Sequence, residues 1–143
     1  MSSARRDPLA LLLLVLPLVG LAIAAYLLAV RLAGGLPACG PGGGCELVQG
    51  SEYSEFLGLP VALYGVVYSA IVTGSGLRWL MAGDRRALLV AYGIGILGTL
   101  GIAYLTYLEL FVIEAICAWC VAYGSTVGAG LVVAALALRR APA

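Results

Sequence analysis

The chemistry open to this sequence lies in four cysteines, which form two pairs with different spacings. Cys117-Ala118-Trp119-Cys120 is a C-x-x-C. On a helix, positions i and i+3 share a face, and their Cα atoms come about 5–6 Å apart, inside the window a disulfide needs. Such a pair becomes reactive when a helix N-terminus favours the thiolate, which is the attacking form. Cys39 and Cys45 instead bracket Gly40-Pro41-Gly42-Gly43-Gly44. Six residue steps reach at most about 20 Å. A loop this rich in glycine can fold back to close a Cys39–Cys45 bridge, or open and carry one thiol elsewhere. Thiol–disulfide exchange needs that reach, because a thiolate must approach the sulfur it attacks.

Competing chemistries fit less well. The 143 residues include no histidine, which removes imidazole acid–base catalysis and makes haem or mononuclear transition-metal sites a poor match. A four-cysteine zinc site favours short knuckles on both sides, and only Cys117/Cys120 has that spacing. No metal is therefore expected. The Gly-rich loop has no following Gly-Lys-Ser/Thr to cradle a phosphate. A different class of reading stays open: a non-enzymatic membrane subunit stapled by two structural disulfides. Lability separates the two, since structural bridges resist mild reductant and shuttle bridges exchange.

The elements that position these cysteines follow from composition. The chain is 63% hydrophobic and 10% charged, with a mean hydropathy of +1.09. Long apolar runs at about 8–30, 56–77, 87–108 and 115–138 read as membrane spans. The first run has a signal-peptide-like rival, Arg5-Arg6 before Leu9–Leu18 and Ala22-Ile23-Ala24, but its apolar stretch continues to Val30. With four spans, Arg5, Arg6, Arg78, Arg85, Arg86, Arg139 and Arg140 share one side, and Arg31 alone takes the other. The positive-inside rule then places both termini in the cytoplasm. All four cysteines face outward, where disulfides persist. A net charge of +1 with no lysine suits surrounding lipid and gives no reason to expect nucleic acid.

The fold expected is an all-α membrane protein, a single domain over 1–143. It is a four-transmembrane-helix bundle with an outer cysteine loop and a short amphipathic half-helix. That half-helix would start at Ser51 as N-cap, with Glu52 and Glu55 in its first turn. Tyr53, Phe56 and Leu57 would share a face that either caps a cavity between the spans or simply anchors the segment at the membrane interface, where aromatics are favoured. Tyr123, one turn beyond Cys120 on the same face, is the better placed of the tyrosines to meet a ligand.

Order and spacing together resemble the vitamin K epoxide reductase family, and more narrowly its prokaryotic quinone-dependent thiol oxidases. The resemblance rests on four spans, C-x5-C in the first outer loop, Ser51 six residues after Cys45, "FLGLPVALYG" entering the second span, and "CAWC" opening the fourth. It implies that Cys117 and Cys120 are the active-site pair, with Cys120 engaging a membrane quinone of the ubiquinone or menaquinone type. Cys39 and Cys45 would be the shuttle pair, Cys39 facing the partner and Cys45 attacking Cys117. Ser51 would lie near the quinone head group. The electron donor would be a separate thioredoxin-fold (DsbA/PDI-like) protein on the outer side of the cell membrane, with no fused thioredoxin-like domain in this chain. Vertebrate members carry a tyrosine where this chain has Gly124 and an asparagine near Val61. Both departures tell against epoxide reduction.

Overall fold

The computed structural model describes residues 7–39 and 44–142. Arg5, Arg6 and the Gly40–Gly43 loop lie outside them. Four long helices build an all-α membrane protein: α1 (Pro8–Leu32), α3 (Val61–Ala82), α4 (Arg85–Leu108, continued by a π-helical turn to Ile113) and α5 (Ala118–Arg140). Each is long and apolar enough to cross a membrane, which takes about 20 residues. Their outward faces carry exposed Leu11, Val15, Leu89, Leu100 and Val132, as a lipid-facing surface does.

Close contacts fix an up-down-up-down arrangement. Gly76 of α3 lies against Leu13 of α1, and Gly65 against Ala24, so the two helices run antiparallel. Gly98 of α4 meets Tyr68 of α3, Gly95 of α4 meets Leu131 of α5, and Gly124 of α5 meets Ile102 of α4. The Gly76 contact has a local cause. Pro17 sits inside α1 and has no N–H to offer the Leu13 carbonyl one turn before it. A Cβ on Gly76 would come 2.5 Å from that carbonyl oxygen. Glycine thus lets α3 press onto the one stretch of α1 backbone that proline leaves open.

The arginines sort as the spans require. Arg78, Arg85, Arg86, Arg139 and Arg140 cluster where α3 ends, α4 begins and α5 ends. There Asp84 caps α4, accepting from the Arg86 N–H at 3.0 Å and pairing with Arg78 at 2.9 Å. Arg31 lies at the opposite end, in the last turn of α1. The main apolar core, around Leu9, Leu13, Val72, Leu88, Val133 and Ala137, fills the arginine-rich half.

The segment between the first two spans departs from expectation. The half-helix is α2 (Cys45–Gln49), which starts at the second cysteine. It ends at Gly50, six residues before Phe56. Ser51 precedes only a 3-10 turn (Glu52–Ser54) and makes no cap; its hydroxyl instead donates to the Val48 carbonyl at 2.7 Å. A two-residue hairpin follows, β1 (Glu55–Phe56) against β2 (Leu59–Pro60). Leu57 and Gly58 both have positive φ, 54° and 79°, the backbone that a tight two-residue turn demands. The second span therefore begins at Val61, with Pro60 as its N-cap, and not at 56.

Candidate active site

The end of the bundle opposite the arginine cluster gathers the cysteines into one small core with Val48. Cys39 and Cys45 are joined in a disulfide, with Cα atoms 5.7 Å apart. Cys117 and Cys120 are free thiols. The sulfurs of Cys39, Cys45 and Cys117 all lie within 4.8 Å of one another. Cys117 Sγ contacts Cys45 Sγ at 3.3 Å, and both residues are fully buried. With Cys39 and Cys45 bonded to each other, this trio has one thiolate to offer a metal and is instead arranged for exchange between sulfurs.

Each sulfur is held by local structure. Cys117 is the N-cap of α5, so its Sγ accepts the Cys120 N–H at 3.3 Å. The helix N-terminus thus donates directly to sulfur. The Gln49 side-chain amide from α2 donates to Cys120 Sγ at 3.3 Å and reaches Cys117 Sγ at 4.0 Å. Interaction with the Cys120 side chain, then the Cys120 N–H and the Gln49 amide, hold the Cys117 thiol down to about 7 against the cost of burial. The sign follows: the thiolate is the deprotonated form, so Cys117 gains reactivity as pH rises through about 7, not through the usual thiol range. Ultraviolet thiolate absorbance of the dithiothreitol-reduced protein checks this, and Gln49→Leu should move the transition upward.

Gly44 sets the approach of α2. Its N–H donates to the Ile116 carbonyl at 3.1 Å, and a Cβ there would sit 2.7 Å from the same oxygen. No side chain fits between the loop and the start of α5. Gly44→Val should push Cys45 away from Cys117 and slow exchange between the pairs by about tenfold or more, since misplacement by about 1 Å costs up to about 10²-fold. Quenched-flow alkylation of the inner pair measures it. Arg31 braces the same roof, donating to the Gln49 carbonyl at 3.0 Å and to Glu55 at 2.7 Å.

Beneath this roof lies a cavity of about 430 Å³ lined by α1, α3, α4 and α5. Its walls are mainly apolar, and Cys120, Tyr123, Ser51 and Tyr53 line it. Phe56 does not: it sits on the hairpin, 59% exposed, and stacks edge-on against Tyr64. Tyr123 lines the cavity with its hydroxyl already engaged, donating to the Gly65 carbonyl at 2.9 Å and bonding Ser69 at 3.2 Å. It faces the cavity as a ring whose proton is spoken for.

Two site residues had no signal in the sequence reading, Gln49 and Glu109. Gln49 meets the sulfurs only through folding, since 71 residues separate it from Cys120. Glu109 opens the π-helical turn, 5% exposed, and its Oε2 accepts the Cys117 N–H at 3.2 Å. An acid at the end of an apolar span is a functional hint in itself.

Among known proteins, the family model described as "Vitamin K epoxide reductase family" matches residues 11–136, nearly the whole chain. No curated protein matches it significantly.

Proposed function

The chain belongs to the vitamin K epoxide reductase family, a membrane thiol–disulfide oxidoreductase, and from that premise we propose that it oxidises the thiols of a secreted thioredoxin-fold partner and reduces a membrane quinone. One observation carries this reading. The Cys45 and Cys117 sulfurs touch at 3.3 Å, while Cys120 of the same C-x-x-C forms part of the cavity wall. One end of the relay meets the loop pair, and the other meets a space for an acceptor.

The cavity suits a quinone. It is apolar, of the size small-molecule sites have, and holds few polar groups. Ser51, Tyr53 and Tyr123 would contact the head group, Cys120 would face the ring, and a bound quinone would supply a two-electron, two-proton acceptor. The chain's own residues do the rest. A partner thiolate attacks the Cys39–Cys45 disulfide at Cys39, and Cys45 leaves as a thiolate. The partner's second thiol then attacks its own sulfur bound to Cys39. The partner leaves oxidised and the loop pair reduced. Cys45 next attacks Cys117 in the oxidised inner pair, and Cys120 leaves carrying the electron pair. Cys39 closes on Cys45, releasing Cys117. The resulting state has the loop bridge closed and two inner thiols, as in the structure. Gln49 orients both inner sulfurs, and full burial keeps water from Cys117.

Purified protein given a short-chain quinone and a reduced thioredoxin-like protein should reduce the quinone as the thiols are consumed. A protein that exchanges thiols but never reduces a quinone would sink the acceptor assignment. Resistance of both bridges to mild reductant would instead favour the structural-subunit reading.

The reading also fixes sidedness, with the cysteine roof outside and the arginine end in the cytoplasm. The support is that five of the six arginines in the described residues share one end of the bundle, and a central arginine costs about 2.5–3.5 kcal/mol on insertion scales. In a cysteine-free background, Arg85→Cys should label only from the cytoplasm and Glu52→Cys only from outside. Labelling of both from one side would overturn the orientation.

A further inference from the structure

We propose that Glu109 is the group that gives and takes the Cys120 proton during electron transfer through the inner pair. This rests on the reading of Cys117 and Cys120 as that pair. The residue is a carboxyl in apolar surroundings, flanked in sequence by Leu108, Leu110 and Phe111. It belongs to neither ion pair found among the described residues, Arg31–Glu55 and Arg78–Asp84. A buried carboxyl with no cation beside it is costly, and its position gives that cost a purpose. Oε2 holds the Cys117 N–H at 3.2 Å, three residues before Cys120 at the same helix start, and the residue lines the cavity that Cys120 lines. It therefore holds the start of the helix that carries Cys120 and faces the same cavity as that sulfur.

Its placement is built by the backbone. The π-helical turn Glu109–Ile113 ends at Glu114, whose φ of 56° is left-handed. The chain then doubles back, so that the Ala115 N–H donates to the Glu109 carbonyl at 3.0 Å. An ordinary α-turn carried on to Cys117 would not bring the side chain onto the start of the next helix. Such π-turns recur at functional sites.

No other group at the cavity can do this work as well. The hydroxyls of Ser51, Tyr64 and Tyr123 donate to backbone carbonyls. Gln49 does not titrate, and a tyrosine, at about 10, is a weak base partner at neutral pH. The sequence has no histidine.

The step balances as follows. Cys45 thiolate attacks Cys117, the Cys45–Cys117 bond forms, and the Cys117–Cys120 bond breaks. The electron pair leaves on Cys120 Sγ, and the Glu109 carboxyl proton passes to that sulfur. When the inner disulfide re-forms, Cys120 gives its proton to a Glu109 oxygen at the cavity wall, Cys117 reacts as the thiolate, and the two electrons leave for the acceptor; a quinone there would take its two protons from water, equal to the two that the partner's thiols release.

The test needs no quinone. Fully oxidised protein is mixed with a reduced thioredoxin-like protein, quenched with acid at intervals, and alkylated, so that mass spectrometry follows the appearance of the Cys120 thiol. Glu109→Gln keeps the size and the oxygen that accepts the Cys117 N–H. It should slow that appearance by about 10²-fold, the lower range for a positioned acid, with reduced Cys39 and Cys45 accumulating beside an intact Cys117–Cys120 disulfide. The wild-type rate should rise with pH as Cys45 ionises, then fall as Glu109 does. The titratable groups facing Glu109 are the Cys117 and Cys120 thiols of α5, and α2 presents the neutral Gln49. Glu109→Gln should lose the falling limb, and Glu109→Ala should regain rate on addition of formate. A wild-type rate in Glu109→Gln overturns the proposal. So does a slow rate that keeps the wild-type pH profile and gains nothing from formate in Glu109→Ala, the mark of a merely structural role. Because the acceptor is absent, a failure to reduce quinone leaves this readout intact.

Discussion

Cys120→Ala should stop turnover, by about 10³-fold or more as for loss of a covalent catalytic group, and should leave the protein locked in a Cys45–Cys117 disulfide. The geometry states which pair is trapped. Cys45 is the first residue of α2, fixed there by the bond from the Gly44 N–H to the Ile116 carbonyl. Its sulfur lies 3.3 Å from that of Cys117. When Cys120 is absent, Cys117 has no inner partner, and the bond it forms with Cys45 is resolved only by Cys39. Under oxidising conditions the trapped species should dominate, visible as a mobility shift without reductant and as a Cys45–Cys117 cross-linked peptide by mass spectrometry. A Cys39–Cys117 cross-link would show that the loop presents its other sulfur, and the order of the relay would have to be reversed. Quinone still reduced by Cys120→Ala would place the electron exit on Cys117.

The fold was legible where it depends on length and hydropathy. Four apolar runs sufficed for four spans, and the arginines at their ends sufficed for the pairing of ends, because both signals are local in sequence. The segment at 45–60 was not. Ser51 with Glu52 and Glu55 has the composition of a helix start, and nothing nearby announces that Cys45 has begun a helix already. Gly58 and Pro60 were the available signals for a turn: Gly58 takes φ 79° and Pro60 caps α3. Reading Ser51 as a helix start placed Phe56 on a helical face that does not exist. The cysteine chemistry was legible because C-x-x-C carries its geometry within four residues. Gln49 and Glu109 were not, because their partners stand 68 and 8 residues away across a helix start and a π-turn. The backbone had to fold before either became part of the site.

The shuttle itself predicts an asymmetry between substrates in Cys39→Ala. Cys117 is fully buried beneath Cys45, so a folded partner protein cannot reach the inner pair. Cys39 lies only partly buried at the edge of the same cluster. The chain just before it is anchored, since the Trp119 indole N–H donates to the Ala38 carbonyl at 3.1 Å and the indole packs on Tyr26. In the proposed relay, Cys39 is thus the sulfur that a protein thiolate attacks, with Cys45 as the leaving group. Without Cys39 there is no loop disulfide to attack, and oxidation of a thioredoxin-like substrate should fall by about 10²-fold or more, the scale of losing a nucleophile's positioned partner. A small dithiol can enter the cavity and meet Cys120 directly, so its oxidation should fall by less than about tenfold. Steady-state rates with the two donors, measured on one preparation with the same quinone, decide it. Parallel losses for both donors would mean that the Cys39–Cys45 bridge holds the roof over the inner pair rather than carrying electrons. The contact between Cys45 and Cys117 would then be packing, since a bridge that never opens has no thiolate to pass inward.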